Sequence, residues 1–229
     1  MVNSGNSNEA ESAPERQLIL TYAPAAGRAA LAALLALDDA LALLLRTTRE
    51  PALGQMRLAW WREALARLDH APAPAEPVLE ALEREVLAKG ISGASLVPIV
   101  HGWEVLIEEE VLDSDALRRF GEGRGQLFVA AGAALYAGSG DPLAAAGQGW
   151  ALADLSRNLR GSDDAGVARA LALPLLDQAA AARWSRNGRA LGALAHLARL
   201  DLQLPEGAEP PVGAPRRVAR LLWHRLTGT

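Results

Sequence analysis

The strongest pattern in the chain runs from Ala25 to Arg46, where apolar residues follow one another with little polar interruption. A helix that is apolar nearly all round belongs in the centre of a domain. Pro24 stops a short helix over Arg16–Tyr22 just before it. Asp38 and Asp39 interrupt the apolar run, and each Asp near the middle of a membrane helix costs about 3 kcal/mol. The segment therefore reads as a buried core helix and not as a span. Glu50-Pro51 opens the next helix, because proline suits the first helical position. Its stripe is Leu53, Trp60, Trp61, Ala64, Leu65 and Leu68, at the helical repeat, and it runs to about Asp69.

Residues 71–77 alternate with proline and form a loop. Helices are predicted over Val78–Lys89, closed by Gly90, over Ser95–Glu110, and over Ser114–Ala137 with Ser114 as its cap. Gly138–Pro142 is a turn before a helix over Leu143–Arg160, which Gly161–Gly166 ends. Shorter helices follow over Leu173–Trp184, Gly188–Leu202 and Pro215–Leu226, with a Pro/Gly-rich connector over Leu204–Pro215. There is no fixed-period repeat and no alternating strand pattern, so the fold class is all-α: one helical bundle over residues 16–229, with the Ala25–Arg46, Pro51–Leu68 and Leu143–Arg160 helices expected to line its centre. The polar, acidic residues 1–15 read as a disordered tail. They lack the basic-then-apolar order of a signal peptide.

Composition narrows the function classes. Alanine and leucine dominate, which favours helix. The net charge of −4 disfavours a general nucleic-acid binder. With no cysteine there is no disulfide, thiolate metal site or thiol nucleophile. His70, His101, His196 and His224 are scattered without ligand spacing. Gly121-Glu-Gly-Arg-Gly125 lies inside a helical pattern and reads as close helix packing rather than a phosphate cradle.

Three arrangements carry candidate chemistry. Arg57 lies four residues from Leu53 and from Trp61. It is either buried with an anionic partner or laid along the stripe with its head in water. Asp154 and Asn158 share a face with Trp150 on an otherwise apolar helix, and Arg157 lies beside them. That face lines an internal cavity, or else is an exposed surface carrying a weak i,i+3 ion pair. Asp38 and Asp39 point about 100° apart around their helix, and no carboxylate follows one turn on.

These residues, taken together, resemble the squalene/phytoene synthase family from about Arg16 to Leu176. Tyr22-Ala-Pro-Ala-Ala-Gly-Arg28 resembles the family's opening. Glu50-Pro-Ala-Leu-Gly-Gln-Met-Arg-Leu-Ala-Trp-Trp-Arg-Glu-Ala-Leu65 is the most specific match. Phe120–Leu127 and Asp154-Leu-Ser-Arg-Asn-Leu-Arg-Gly161, with Leu173-Pro174 beyond, resemble two further family helices. The resemblance implies an isoprenoid synthase fold with a central cavity. Active members join two prenyl diphosphates with Mg²⁺ held by two acidic motifs. Here the first motif falls on Ala42-Leu-Leu-Leu-Arg46, which has no carboxylate. In the second, the ligand Asn and Asp fall on Arg157 and Gly161. A guanidinium does not bind Mg²⁺.

The resemblance thus implies a member without catalysis and without a cofactor, similar to the branch that serves as respiratory complex I assembly factors. It would hold a lipid or prenyl diphosphate, with a protein partner in assembly. Its location would be the cytoplasm or a membrane periphery, without a transmembrane segment. The alternative is an active prenyl diphosphate transferase that uses Mg²⁺ through Asp38, Asp39, Asp154, Asp163 and Asp164. The candidate cavity residues are Arg28, Asp39, Arg57, Trp61, Asp154, Arg157, Asn158 and Arg160. Arginine–carboxylate pairs are expected where the metal is lost, drawn from Asp39, Asp154, Arg46, Arg57 and Arg157.

Overall fold

The computed structural model describes residues 7–159, 161–205 and 208–229, with side chains from Pro14 onward except Ser162. The described residues form ten α-helices and no sheet: α1 Ser7–Leu20, α2 Ala25–Thr47, α3 Pro51–Arg67, α4 Pro77–Glu85, α5 Val97–Glu108, α6 Ser114–Leu135, α7 Leu143–Asn158, α8 Ser162–Ala181, α9 Arg189–Asp201 and α10 Pro215–Thr227. The class is all-α, as the residue pattern predicts. None of the described helices alone is long and apolar enough to cross a membrane.

The central helix α2 buries Leu31, Leu34, Leu37, Leu41 and Leu44, and buries Asp38 among them. Helix α6 is capped by Asp113 rather than Ser114. The Asp113 carboxylate accepts the backbone N–H groups of Asp115 and Ala116 at 2.9 and 2.8 Å. It packs on α2, α5 and α7, and α7 in turn lies against α8 and α9. Helix α10 closes the bundle over α9.

The glycine-rich run on α6 explains how closely these helices meet. A Cβ on Gly123 would lie 2.6 Å from the Gly102 backbone of α5, and one on Gly125 would lie 2.7 Å from the Gln148 backbone nitrogen of α7. Only glycine allows backbones this near. Arg124, between them, is thereby driven into the middle of the bundle.

Three expectations need correction. The tail predicted through Glu15 is helical from Ser7, and Glu15 is buried with an arginine partner on α10, which ties that turn down; residues 1–6 lie outside the described residues. Helix α3 does not line the centre: its buried face, Gly54, Leu58, Trp61 and Leu65, turns toward α5, while Leu53, Met56 and Trp60 are exposed. Helix α8 runs unbroken through Gly166 and Pro174, because Ala165, Ala168, Ala172, Leu176 and Ala179 form one buried stripe.

Candidate functional site

Helices α1, α2, α5, α6, α7, α9 and α10 enclose a cavity of about 550 Å³. That is the size of a site for a small organic ligand. Much of the wall is apolar, including Leu35, Leu43, Leu106, Phe120, Trp150 and Leu194. The rest is polar and mostly charged, and most of the charges are organised in ion-paired groups.

The deepest group is built on Arg124. Its Nε and Nη2 donate to Asp38 of α2 at 2.8 and 2.7 Å, and its Nη1 donates to Asp154 of α7 at 2.6 Å. The guanidinium lies 4.5 Å from the Trp103 ring and 4.4 Å from the Trp150 ring. Such stacking suits a planar delocalised cation. Trp103 also donates its indole N–H to Asp38 at 3.2 Å. Burial alone would push the Arg124 pKa down. The charges of Asp38 and Asp154 and the hydrogen bonds to both outweigh it and hold the group above the ordinary arginine value. Asn158 donates to the Asp154 backbone carbonyl at 2.8 Å, one turn along α7.

A second group joins the helix ends. Arg217 of α10 holds Glu15 of α1 through Nε and Nη2 at 2.9 and 2.8 Å, and also pairs with Asp201 of α9. Arg157 of α7 donates to the other oxygen of Asp201 at 3.0 Å. Burial raises the Glu15 pKa, but the hydrogen bonds from Arg217 and from the Gly213 N–H bring it below the usual value. Burial dominates at Asp201 and leaves its pKa raised despite both arginines. At the rim, Arg16 pairs with Asp39 at 2.8 Å.

Of the residues singled out from sequence, Asp39, Asp154, Arg157 and Asn158 line the cavity. Arg28, Arg57 and Trp61 do not. Arg28 donates to the carbonyls of Leu20 and Ala23, fixing the turn into α2. Arg57 is exposed and donates to Thr48 at 2.9 Å, beside the buried stripe rather than on it. Trp61 packs edge-on against Trp60 within α3. Arg160 lies outside the described residues. The inward carboxylate of the Asp38-Asp39 pair is Asp38, because it falls on the buried face of α2, whereas the Asp39 side chain is half exposed. Arginine–carboxylate pairs do line the wall: the expected Asp39, Asp154 and Arg157 take part, joined by Arg16, Asp38, Arg124, Asp201, Arg217 and Glu15, whereas Arg57 lies outside the cavity. An arginine between two helix-packing glycines has nowhere to go but inward, and that was the available signal for Arg124.

A family model described as squalene/phytoene synthase matches residues 10–123, about half of the chain. Through that segment the chain belongs to the squalene/phytoene synthase family. The match takes in most of α1, all of α2 to α5 and the first part of α6, and it ends one residue before Arg124. The Asp154–Gly161 resemblance lies beyond it. No curated protein and no solved structure matches the chain.

The family implies Mg²⁺ between two acidic motifs, and the residues present do not fit that ion. Carboxylates from α2 and α7 do face one another across the cavity, but Arg124 fills the gap and takes both oxygens of Asp38 and one of Asp154. Ala42 to Arg46, where the resemblance would put the first motif, offers no oxygen donor side chain. Mg²⁺ needs oxygen ligands in near-octahedral array, and a guanidinium between them excludes it.

Proposed function

We propose that the chain is a squalene/phytoene synthase-like protein without prenyl-transfer activity. In this reading its cavity holds a lipid or prenyl chain, and it acts in assembly with a protein partner, with at most peripheral membrane attachment. One observation carries the reading: a buried arginine bridges the two carboxylates that would otherwise face each other across the cavity. Departure of a diphosphate requires neutralisation of the charge that develops on it, and a metal between carboxylates supplies that neutralisation in the family. An arginine locked to those same carboxylates is already neutralised, takes both oxygens of Asp38 and places its positive charge where a metal between the two would sit. The test is incubation of the protein with Mg²⁺ and labelled prenyl diphosphates. Unchanged substrates are expected, and coupled isoprenoid products would overturn the reading.

A second reading, an active prenyl diphosphate transferase, draws support from the placement of Asp38 and Asp39 on α2 opposite Asp154 on α7. It requires Arg124 to leave Asp38 when substrate and metal bind. It predicts turnover that Asp154→Ala abolishes.

A further inference from the structure

We propose that the cavity selects an uncharged long-chain alcohol of isoprenoid type and discriminates against the corresponding diphosphate. The inference rests on the lipid-binding reading and adds the chemical class of the ligand.

Charge balance in the wall is the first observation. Among the described residues, five carboxylates line the cavity: Glu15, Asp38, Asp39, Asp154 and Asp201. Five guanidiniums line it with them: Arg16, Arg46, Arg124, Arg157 and Arg217. The described lining is therefore neutral as a set, with no surplus for an ion of either sign.

The second observation is how firmly these charges are committed. Arg124 and Arg217 each hold a buried carboxylate through two nitrogens, at 2.7–2.8 Å for Asp38 and 2.8–2.9 Å for Glu15. A diphosphate at the depth of the cavity would meet these two guanidiniums. Each one recruited orphans a carboxylate away from water, and breaking a buried pair in this way is strongly unfavourable. The diphosphate would also surrender its own hydration inside a largely apolar chamber. An alcohol asks for neither.

The third observation is a carboxylate in the wall with acceptor capacity to spare. The Asp154 side chain remains 44% exposed although Arg124 holds one oxygen and Asn158 reaches the other at a long 3.4 Å. Its free lone pairs face solvent or cavity and accept a hydrogen bond from an O–H. The hydrocarbon tail has Leu35, Leu43, Leu106 and Leu194 as its wall. A neutral donor head on an apolar chain matches that combination, with tail burial as the main driving term.

Calorimetric titration of the full chain with farnesol and with farnesyl diphosphate tests this, since the two share one hydrocarbon chain. The alcohol is expected to bind about tenfold or more tightly than the diphosphate, a gap of about 1.4 kcal/mol, and Mg²⁺ should not change either affinity. Equal or tighter binding of the diphosphate, or binding that Mg²⁺ strengthens, overturns the inference while leaving a lipid-binding cavity intact. Binding of neither overturns the lipid-binding reading and the inference with it. Leu43→Trp narrows the cavity at a half-exposed position without touching an ion pair. Loss of farnesol binding in that variant supports the assignment, and unchanged binding overturns it.

Discussion

Arg124 grips Asp38 with two hydrogen bonds, and the two side chains are only 4% and 6% exposed. A pair so deep is held in place by the cost of separating it rather than by a large net gain from forming it. Arg124→Ala is therefore expected to destabilise the fold by about 3 kcal/mol or more, through the orphaned Asp38 carboxylate. Adding Asp38→Asn should return part of that loss, so that the double variant costs less than the sum of the singles. Urea unfolding of the three variants gives the coupling directly, and simple additivity would refute it.

The second ion-pair group ranks its own members. Arg217 serves both Glu15 and Asp201, whereas Arg157 serves Asp201 alone from a side chain 24% exposed. Arg217→Ala leaves Glu15 without its bidentate partner and should cost about 3 kcal/mol. Arg157→Ala leaves Asp201 paired with Arg217 and should cost closer to 1 kcal/mol. Equal losses in thermal unfolding, or a greater loss for Arg157, would contradict this ordering.

How much of this was legible depended on periodicity. Helix α2, with leucines at helical spacing, and helix α3, opened by proline, are plain in the residue pattern. Helix α8 was hidden because its buried stripe is mostly alanine, a weak hydrophobic signal, and because Gly166 and Pro174 look like breaks. Packing of α7 against Leu175 and Leu176, so tight that a Cβ on Gly149 would lie 2.7 Å from Leu176, overrides both local preferences. The site was half legible. Asp154, Arg157 and Asn158 stand out as polar residues on an apolar helix. Glu15 and Arg217 pair across 202 positions of sequence, and no local pattern announces such a partnership.

Two glycines with opposite surroundings give a further check on the packing. A Cβ on Gly147 would lie 2.3 Å from the Gly125 carbonyl oxygen, so Gly147→Ala must push α6 and α7 apart and should cost about 1–3 kcal/mol. Gly166 is exposed in α8 and has nothing within 4 Å of where a Cβ would stand. Gly166→Ala should gain about 1 kcal/mol from helix propensity. Melting temperatures that move the same way in both variants would be inconsistent with this geometry.

Two buried histidines set the pH response. His196 and His224 stack edge-on at 4.6 Å between ring centroids. Burial is the main cause that pushes them down, to about 3 and about 4, and the Arg220 guanidinium adds to it at both rings. Above the ordinary value of 6.5 both states are neutral and the pair contributes nothing. Below it the unfolded chain takes up protons that the folded chain refuses, so stability falls as the pH drops from 6.5 toward 4. Urea midpoints should decline between about pH 7 and pH 5, and His196→Gln should flatten that decline. A wild-type midpoint constant over this range would rule the account out.

The central question, whether Arg124 stands where a metal would otherwise be needed, has a direct experimental form. Two facing carboxylates without a counter-charge repel one another and are poorly solvated, and the wild type resolves this with the guanidinium. Arg124→Met removes the charge while keeping a long, flexible side chain between the Trp103 and Trp150 rings. The variant should be less stable in the absence of divalent ions, since Asp38 and Asp154 are left facing each other. Mg²⁺ should then restore part of the loss, because an ion that binds only the folded state stabilises it by mass action. At about ten times its dissociation constant the gain is about 1.4 kcal/mol. The wild type should show no such gain, its carboxylates being taken. Thermal unfolding of both proteins with and without Mg²⁺ makes the comparison. If Mg²⁺ stabilises the wild type as much as the variant, Arg124 does not occupy the place of the ion; if it stabilises neither, the carboxylates alone do not form a metal site.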